Sequence, residues 1–316
     1  MLKRCMILVS LVALSGCGGS DPTAGNTPDD APKVALIMKS LANEFFKTME
    51  DSAREYHGEN IEKFEFIANG IKNEEDVSGQ ITLVEQMMAQ GVDALVITPA
   101  NSQALVPVLK RAMEQGIVVV NIDNKLDGDT LAAEGVKIPF IGPDNHKGAK
   151  LAGDHLATLL SKGDEVAIIG GVPSSFNAQE RARGFQDAMD DAGIVVVASQ
   201  AANWEMSKAN QIASGIVNEY VGLDAILCAN DNMALGALAA VRDAGKQDSI
   251  RVVGFDSISA VQELILKDRI VCTVDQHSDQ LAIFGIEYAL EIMETGITPE
   301  DKETPVDLVT AETLRQ

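Results

Sequence analysis

From Lys33 onward the chain alternates short aliphatic, β-branched runs with longer stretches of helical period, and it does so in two successive series. The first reads KVALIM then NEFFKTMEDSAREY, VDALVI then SQALVPVLKRAMEQG, and GIVVVNI. The second, past residue 140, reads EVAIIGG then AQERARGFQDAMDDAG, IVVVASQ then SKANQIASGIVNEY, LDAILC then MALGALAAVRDAG, IRVVGF then AVQELILKD, and last RIVCTV. Strands separated by helices cannot pair through tight hairpins, so they form parallel sheets with helices on the faces. Two such series predict an α/β fold of two similar lobes. At 316 residues and 46% hydrophobic content, the chain has the apolar surface for two cores of ordinary domain size.

What ends each strand carries the functional signal. Lys39 and Ser40 follow the first strand-like run, Asn69 the second, Thr98 the third and Asp123 the fourth; the later series gives Asn230, Asp256 and Gln276. In open α/β sheets, ligands bind outside the carboxyl ends of the strands, so these residues share one polar rim per lobe. The stretch ILCANDNMALGALAAV, residues 226–241, places Asn230, Asp231 and Asn232 together before a helical run. A helix start needs one such side chain as its cap, which leaves two for other work.

Several function classes are excluded. A net charge of −22 lacks the clustered Lys and Arg that neutralise phosphates, so nucleic acid is not a partner. DNKLDGDTLAAE, residues 123–134, nearly fits a calcium loop, but Lys125 sits at a ligand position and a strand precedes it. GGVPSS, residues 170–175, lacks the Gly-Lys-Ser/Thr of a phosphate loop and reads as a turn near the cleft. His57, His146, His155 and His277 lack metal spacing, and no Ser stands in a nucleophile elbow. No metal, no cofactor and no catalytic set is expected.

The opening MLKRCMILVSLVALSGCGGS has Lys3 and Arg4, an apolar stretch from Met6 to Leu14 and small residues up to Cys17, the pattern of an export signal. Leu14-Ser15-Gly16-Cys17 resembles the lipobox of bacterial lipoproteins, which implies lipidation of Cys17 and anchoring in the cell envelope. Residues 18–32, rich in Gly, Pro, Asp and Thr, read as a flexible tether. Cys228 and Cys272 lie in separate apolar runs and are expected as two buried thiols.

Taken in order, KSLANEFF (39–46), NIDNKLDGD (121–129), NAQERARGF (177–185), SQAANWE (199–205), CANDNMALGA (228–237), VVGFDS (252–257) and TVDQHSDQ (273–280) resemble the ribose- and allose-binding periplasmic proteins over residues 33–316. The resemblance implies a type I periplasmic binding protein fold, with the chain crossing between lobes near 142–145, 276–278 and 304–306. The expected division is 33–142 plus 278–304 for the first lobe and 143–277 plus 305–316 for the second. Carried over by position, the ligand contacts fall on Lys39, Asn43, Phe45, Phe46, Asp123, Arg181, Trp204, Asn230, Asp256 and Gln276. Asn230 then contacts the ligand, and Asp231 or Asn232 is left to cap the helix.

The chemistry is sensible on its own terms. Carboxylates, amides and an Arg satisfy sugar hydroxyls through charge-assisted hydrogen bonds, and aromatic faces take the C–H faces of the ring. The ribose-type pattern has Arg after the Asp at 123 and Asn at 98, where this chain has Asn124 and Thr98. Lys39, the NKLD continuation and the Trp204 context resemble the allose type, although that type has Glu at 124 and Trp at 46, and Glu44 stands in place of the usual proline. The expected ligand is a small neutral sugar, an allose-like hexose, ketose or polyol rather than ribose. The resemblance implies a monomer that closes on its sugar by hinge motion and delivers it to ABC permease subunits. Alternatives are a sugar sensor that presents its ligand to a membrane receptor, a repressor core, which needs a helix-turn-helix where the export signal stands, and a carbohydrate-acting enzyme using Asp123 and Asp256.

Overall fold

A computed structural model describes residues 31–316; the expected leader (1–17) with Cys17, and nearly all of the expected tether (18–32), lie outside the described residues. The first series forms β1 (Lys33–Met38), α1 (Glu44–Glu59), β2 (Glu65–Gly70), α2 (Val77–Ala89), β3 (Ala94–Ile97), α3 (Val106–Glu114), β4 (Val118–Ile122), α4 (Gly128–Glu134) and β5 (Phe140–Pro143). The second forms α5 (Asn145–Ala157), β6 (Glu165–Gly170), α6 (Phe176–Ala192), β7 (Val195–Ala201), α7 (Met206–Glu219), β8 (Leu223–Cys228), α8 (Asp231–Asp243), β9 (Arg251–Val253), α9 (Ser259–Leu266) and β10 (Thr273–Asp275). The chain ends in α10 (Ser278–Thr295), β11 (Lys302–Thr304) and β12 (Asp307–Val309), with one turn of 3₁₀ helix after it.

The larger sheet has the order β2-β1-β3-β4-β5-β11 with every pair parallel, and the smaller has β7-β6-β8-β9, also parallel. Both start from the second position and wind outward the same way, so the two lobes repeat one topology. β10 pairs antiparallel with β12 and lies beside the end of β9, where Gly254 N donates to Cys272 O at 3.0 Å and Asp256 N to Val274 O at 2.8 Å.

Alternation along a strand explains why β1 is apolar throughout. Val34, Leu36 and Met38 face a core shared with Phe45, Phe46 and Met49 of α1 and Leu281 of α10, whereas Ala35 and Ile37 face Val84, Met87 and Leu109 of α2 and α3. Each such aliphatic contributes about 1.5–3 kcal/mol on burial. In the second lobe, α5 and α6 approach closely because Gly184 carries no side chain; a Cβ there would stand 2.3 Å from His146 O.

The helix starts follow local polar chemistry. Asn43, Asp76, Asp127, Asp144 and Asn230 each accept a backbone N–H from the first turn of their helix. Asp127 thereby explains the calcium-like spacing: it caps α4 and accepts from Thr130 N at 2.8 Å. β5 and β11 are neighbours in the larger sheet, whereas β10 and β12 pair with each other. His277, in the left-handed region at φ 55° between β10 and α10, contacts Asp307 Oδ2 at the start of β12 through its Nε2 at 2.8 Å.

Candidate functional site

The carboxyl ends of the two sheets face each other across a small cavity whose lining residues are all buried, none more than 8% exposed. Lys39, Asn43, Phe45, Phe46, Asp123, Arg181, Trp204, Asn230, Asp256 and Gln276 all line it, joined by Glu74 and Asn177. All ten positions named from the sequence therefore come together in one place.

From the first lobe, Lys39 leaves β1 with its N–H on Thr98 Oγ1 at 3.1 Å, and its Nζ lies 3.5 Å from Asp123 Oδ2. The same ammonium stands 5.6 Å from the Phe46 ring centre and 5.7 Å from that of Trp204, within cation–π range. Asn43 caps α1 by accepting from Phe45 N at 3.1 Å and donates from Nδ2 to Glu74 Oε1 at 3.3 Å. Capping thus fixes the turn that presents Phe45 and Phe46, whose rings meet edge to face at 5.1 Å. Asp123 leaves β4 in the left-handed region at φ 63°.

From the second lobe, Arg181 is fully buried on α6. Its Nη1 donates to Asp256 Oδ1 at 3.2 Å and Ala229 O at 2.8 Å, its Nε donates to Asn145 Oδ1 at 2.7 Å, and its guanidinium stacks 3.7 Å from the Phe255 ring centre. Asp256 also accepts from Gln276 Nε2 at 2.7 Å. Burial pushes the Asp256 carboxyl up to about 7 even though Arg181 holds it down. Glu74 is likewise pushed up to about 7, chiefly by burial, with Lys39 and the Asn43 hydrogen bond opposing. Trp204 sits at φ 70° after Asn203 at φ 55°, its ring seated on Gly171, where a Cβ would come within 2.1 Å.

The three polar residues before α8 divide their work differently from the expectation. Asn230 is itself the cap, its Oδ1 accepting from Met233 N at 2.9 Å, while it also lines the cavity. Asp231 caps nothing: as the first helical residue it turns back into the lobe, accepting from Ile258 N at 2.9 Å and Thr273 Oγ1 at 2.8 Å. Burial, and then the charge of Asp256, raise its carboxyl well above the ordinary range. Gly254 makes room for it, since a Cβ there would lie 2.0 Å from Asp231 Oδ1. Asp231 thereby ties down the loop that carries Asp256.

Other rim residues stay out of the cavity. Ser40 donates to Lys72 O, Thr98 holds Lys39, and Asn69 stays in β2 away from the cavity lining. Glu74 and Asn177 were not anticipated. Asn177 lies four residues before Arg181 on α6, a spacing that places both on one helix face.

Among the described residues, five buried side-chain polar atoms lack a hydrogen-bond partner, and four belong to this cavity: Asp123 Oδ2, Asn177 Oδ1, Trp204 Nε1 and Gln276 Oε1. Native interiors rarely leave such groups unpaired, so acceptors and donors here are set out for a polar molecule. A wider, open groove on the second lobe, near Asp248, Arg269 and Arg315, holds none of them. Among the described residues no group of three or more metal-type ligands occurs, no helix is long and apolar enough to cross a membrane, and Cys228 and Cys272 are buried free thiols.

Residues 34–296 match the family described as periplasmic binding protein domain. The D-ribose/D-allose-binding protein of Pseudomonas aeruginosa is 51% identical over 312 residues, covering 96% of this chain and 97% of that protein. An ABC transporter solute-binding protein from Burkholderia multivorans has a crystal structure similar at TM-score 0.87 and 52% identity, over 89% of this chain and 99% of the other. The periplasmic solute-binding protein of an ABC transporter from Actinobacillus succinogenes, solved with bound D-allose, matches at TM-score 0.85 and 32% identity, over 90% and 99%.

Proposed function

The chain belongs to the periplasmic binding protein domain family, and from that premise we propose that it captures one small neutral sugar between its lobes for an ABC importer. The observation that carries this reading is the cavity's composition: aromatic faces, paired charges and unpartnered polar atoms in one buried space. Lys39 is matched by Asp123 and Arg181 by Asp256, so the site has no unmatched cation to hold an anionic ligand. Burial raises the Glu74 carboxyl to about 7, which reduces the negative charge it adds to the lining.

A pyranose meets this lining well. Its hydroxyls donate to Asp123 and Gln276 and accept from Lys39, Arg181 and Trp204 Nε1, while Phe45, Phe46 and Trp204 cover its C–H faces. Asn124, which differs from the residue at this position in both the ribose and the allose type, is drawn out of the cavity. Its Nδ2 donates to Pro99 O at 2.8 Å and its Oδ1 accepts from Asn177 N at 3.2 Å across the cleft. Hinge motion at the three crossings closes the lobes on the sugar, and the closed form is what a permease reads. In this reading the lobes comprise 33–142 plus 278–304 and 143–277 plus 305–316, and the monomer is held to the envelope through lipidated Cys17.

The test is a thermal-shift screen against pentoses, hexoses, ketoses and polyols, after unfolding and refolding to remove carried ligand. A ligand that binds the native state raises the midpoint. A clear shift with an aldohexose such as D-allose is expected; no shift with any sugar would overturn the reading.

A further inference from the structure

Two glutamates of the first lobe reach across the cleft beside the cavity, and each accepts hydrogen bonds from the second lobe. Glu75, next to the cavity residue Glu74, accepts from Asn203 Nδ2 at 2.6 Å and from Lys208 Nζ at 2.8 Å. Glu44, between the cavity residues Asn43 and Phe45, accepts from Ser259 N at 2.8 Å. The partners lie near cavity residues along the second lobe's chain: Asn203 precedes Trp204, Lys208 follows it by four residues, and Ser259 stands three residues after Asp256.

Both receiving segments contain consecutive non-glycine residues at positive φ. Asn203 and Trp204 are consecutive non-glycine residues in the left-handed region, a conformation unfavourable for a bulky Trp. Asp256 and Ser257 form a second such pair, at φ 116° and 57°. Helix α9, which follows, has Ile258 at its cap position and no side-chain cap of its own, so Glu44, accepting from Ser259 N, serves as that cap from the opposite lobe. A carboxylate at a helix N-terminus meets free N–H groups and the positive end of the helix dipole.

Resting on the sugar-binding reading, we propose that Glu44 and Glu75 are positioning residues that clasp the closed lobes and seat Trp204 and Asp256 against the bound sugar. They touch no ligand; they act through the two segments they hold. Loss of either clasp therefore speeds sugar release and leaves encounter unaffected, as most changes within one interface do. The Glu75–Lys208 pair is half exposed, so each clasp contributes a modest factor and salt weakens it.

The test measures D-allose and D-ribose binding by stopped flow, followed through Trp204, the chain's single tryptophan. Wild type is compared with Glu44→Ala, Glu75→Ala, Lys208→Ala, the Glu75→Ala/Lys208→Ala double variant and the exchange Glu75→Lys/Lys208→Glu. Each glutamate variant is expected to raise the dissociation rate about 3- to 10-fold, with the association rate and the ligand-free thermal midpoint unchanged. The double variant is expected to be less than additive, and the exchange to recover part of the loss. Unchanged dissociation in a wild type that binds, fully additive effects, or a lowered ligand-free midpoint would overturn the clasps alone. A wild type that binds neither sugar would overturn the sugar-binding reading and the clasps with it.

Discussion

Replacing Arg181 with Met keeps most of the side-chain length and removes the charge that holds the second-lobe half of the cavity together. Arg181 satisfies three buried acceptors, Asp256 Oδ1, Ala229 O and Asn145 Oδ1. Removing one partner of a buried ion pair costs ~3–5 kcal/mol when the other charge stays unpaired. The cost depends on pH in a direction that can be worked out. The folded Asp256 carboxyl lies near 7, above its ordinary 3.8, so its contribution to stability is full at low pH and is lost as pH rises through about 7. Without Arg181, whose charge opposes that rise, the loss deepens at high pH, whereas at pH 5 Asp256 carries a proton and the lone charge vanishes. What remains at pH 5 is two unsatisfied acceptors, about 2 kcal/mol in all. Urea unfolding of ligand-free protein should give a destabilisation of about 4 kcal/mol at pH 8 and about half that at pH 5. Equal values at the two pH values, or less than about 1 kcal/mol at pH 8, would refute the buried-pair reasoning.

Glu74→Gln should behave in the opposite sense. Because burial raises the Glu74 carboxyl from 4.5 to about 7, the wild type loses stability between those values, and the variant gains up to about 3 kcal/mol on it at pH 8 but little at pH 4. A gain independent of pH in urea melts would contradict this. Gly171→Ala should push the Trp204 ring off its seat, lowering sugar affinity at least about tenfold and shifting Trp204 emission, since a new Cβ would stand 2.1 Å from the ring. Wild-type affinity in that variant would show that Trp204 is not seated there. Cys228 and Cys272, whose thiols burial raises far above their ordinary value, should resist a thiol reagent in native protein and react promptly in urea; fast native reaction would contradict their burial.

Most of the fold was legible because alternation of strand and helix has few solutions, and the runs read from the sequence became strands within a residue or two, from KVALIM to LDAILC. α4 was less visible, since its acidic start, DNKLDGD, reads as a cation loop until Asp127 is seen capping a helix. At the cavity, residues within three positions of a strand's end supplied much of the lining: Lys39, Asp123, Asn230, Asp256 and Gln276. Thr98 sits at a strand end as well, yet its hydroxyl is taken by the backbone of Lys39. Glu74 escaped because it enters from a loop four residues past β2, where no periodicity marks it. The roles of Asn230 and Asp231 could not be divided from sequence, because either side chain can cap; only the turn of Asp231 toward Ile258 and Thr273 decides.

The most direct measurement is calorimetric titration of D-allose into the refolded protein and into its Asp256→Ala variant. The account predicts one site per chain with micromolar or tighter affinity, about −8 kcal/mol or better, and a loss of at least about a hundredfold in the variant. No heat with the wild type, or binding that Asp256→Ala leaves intact, would contradict it.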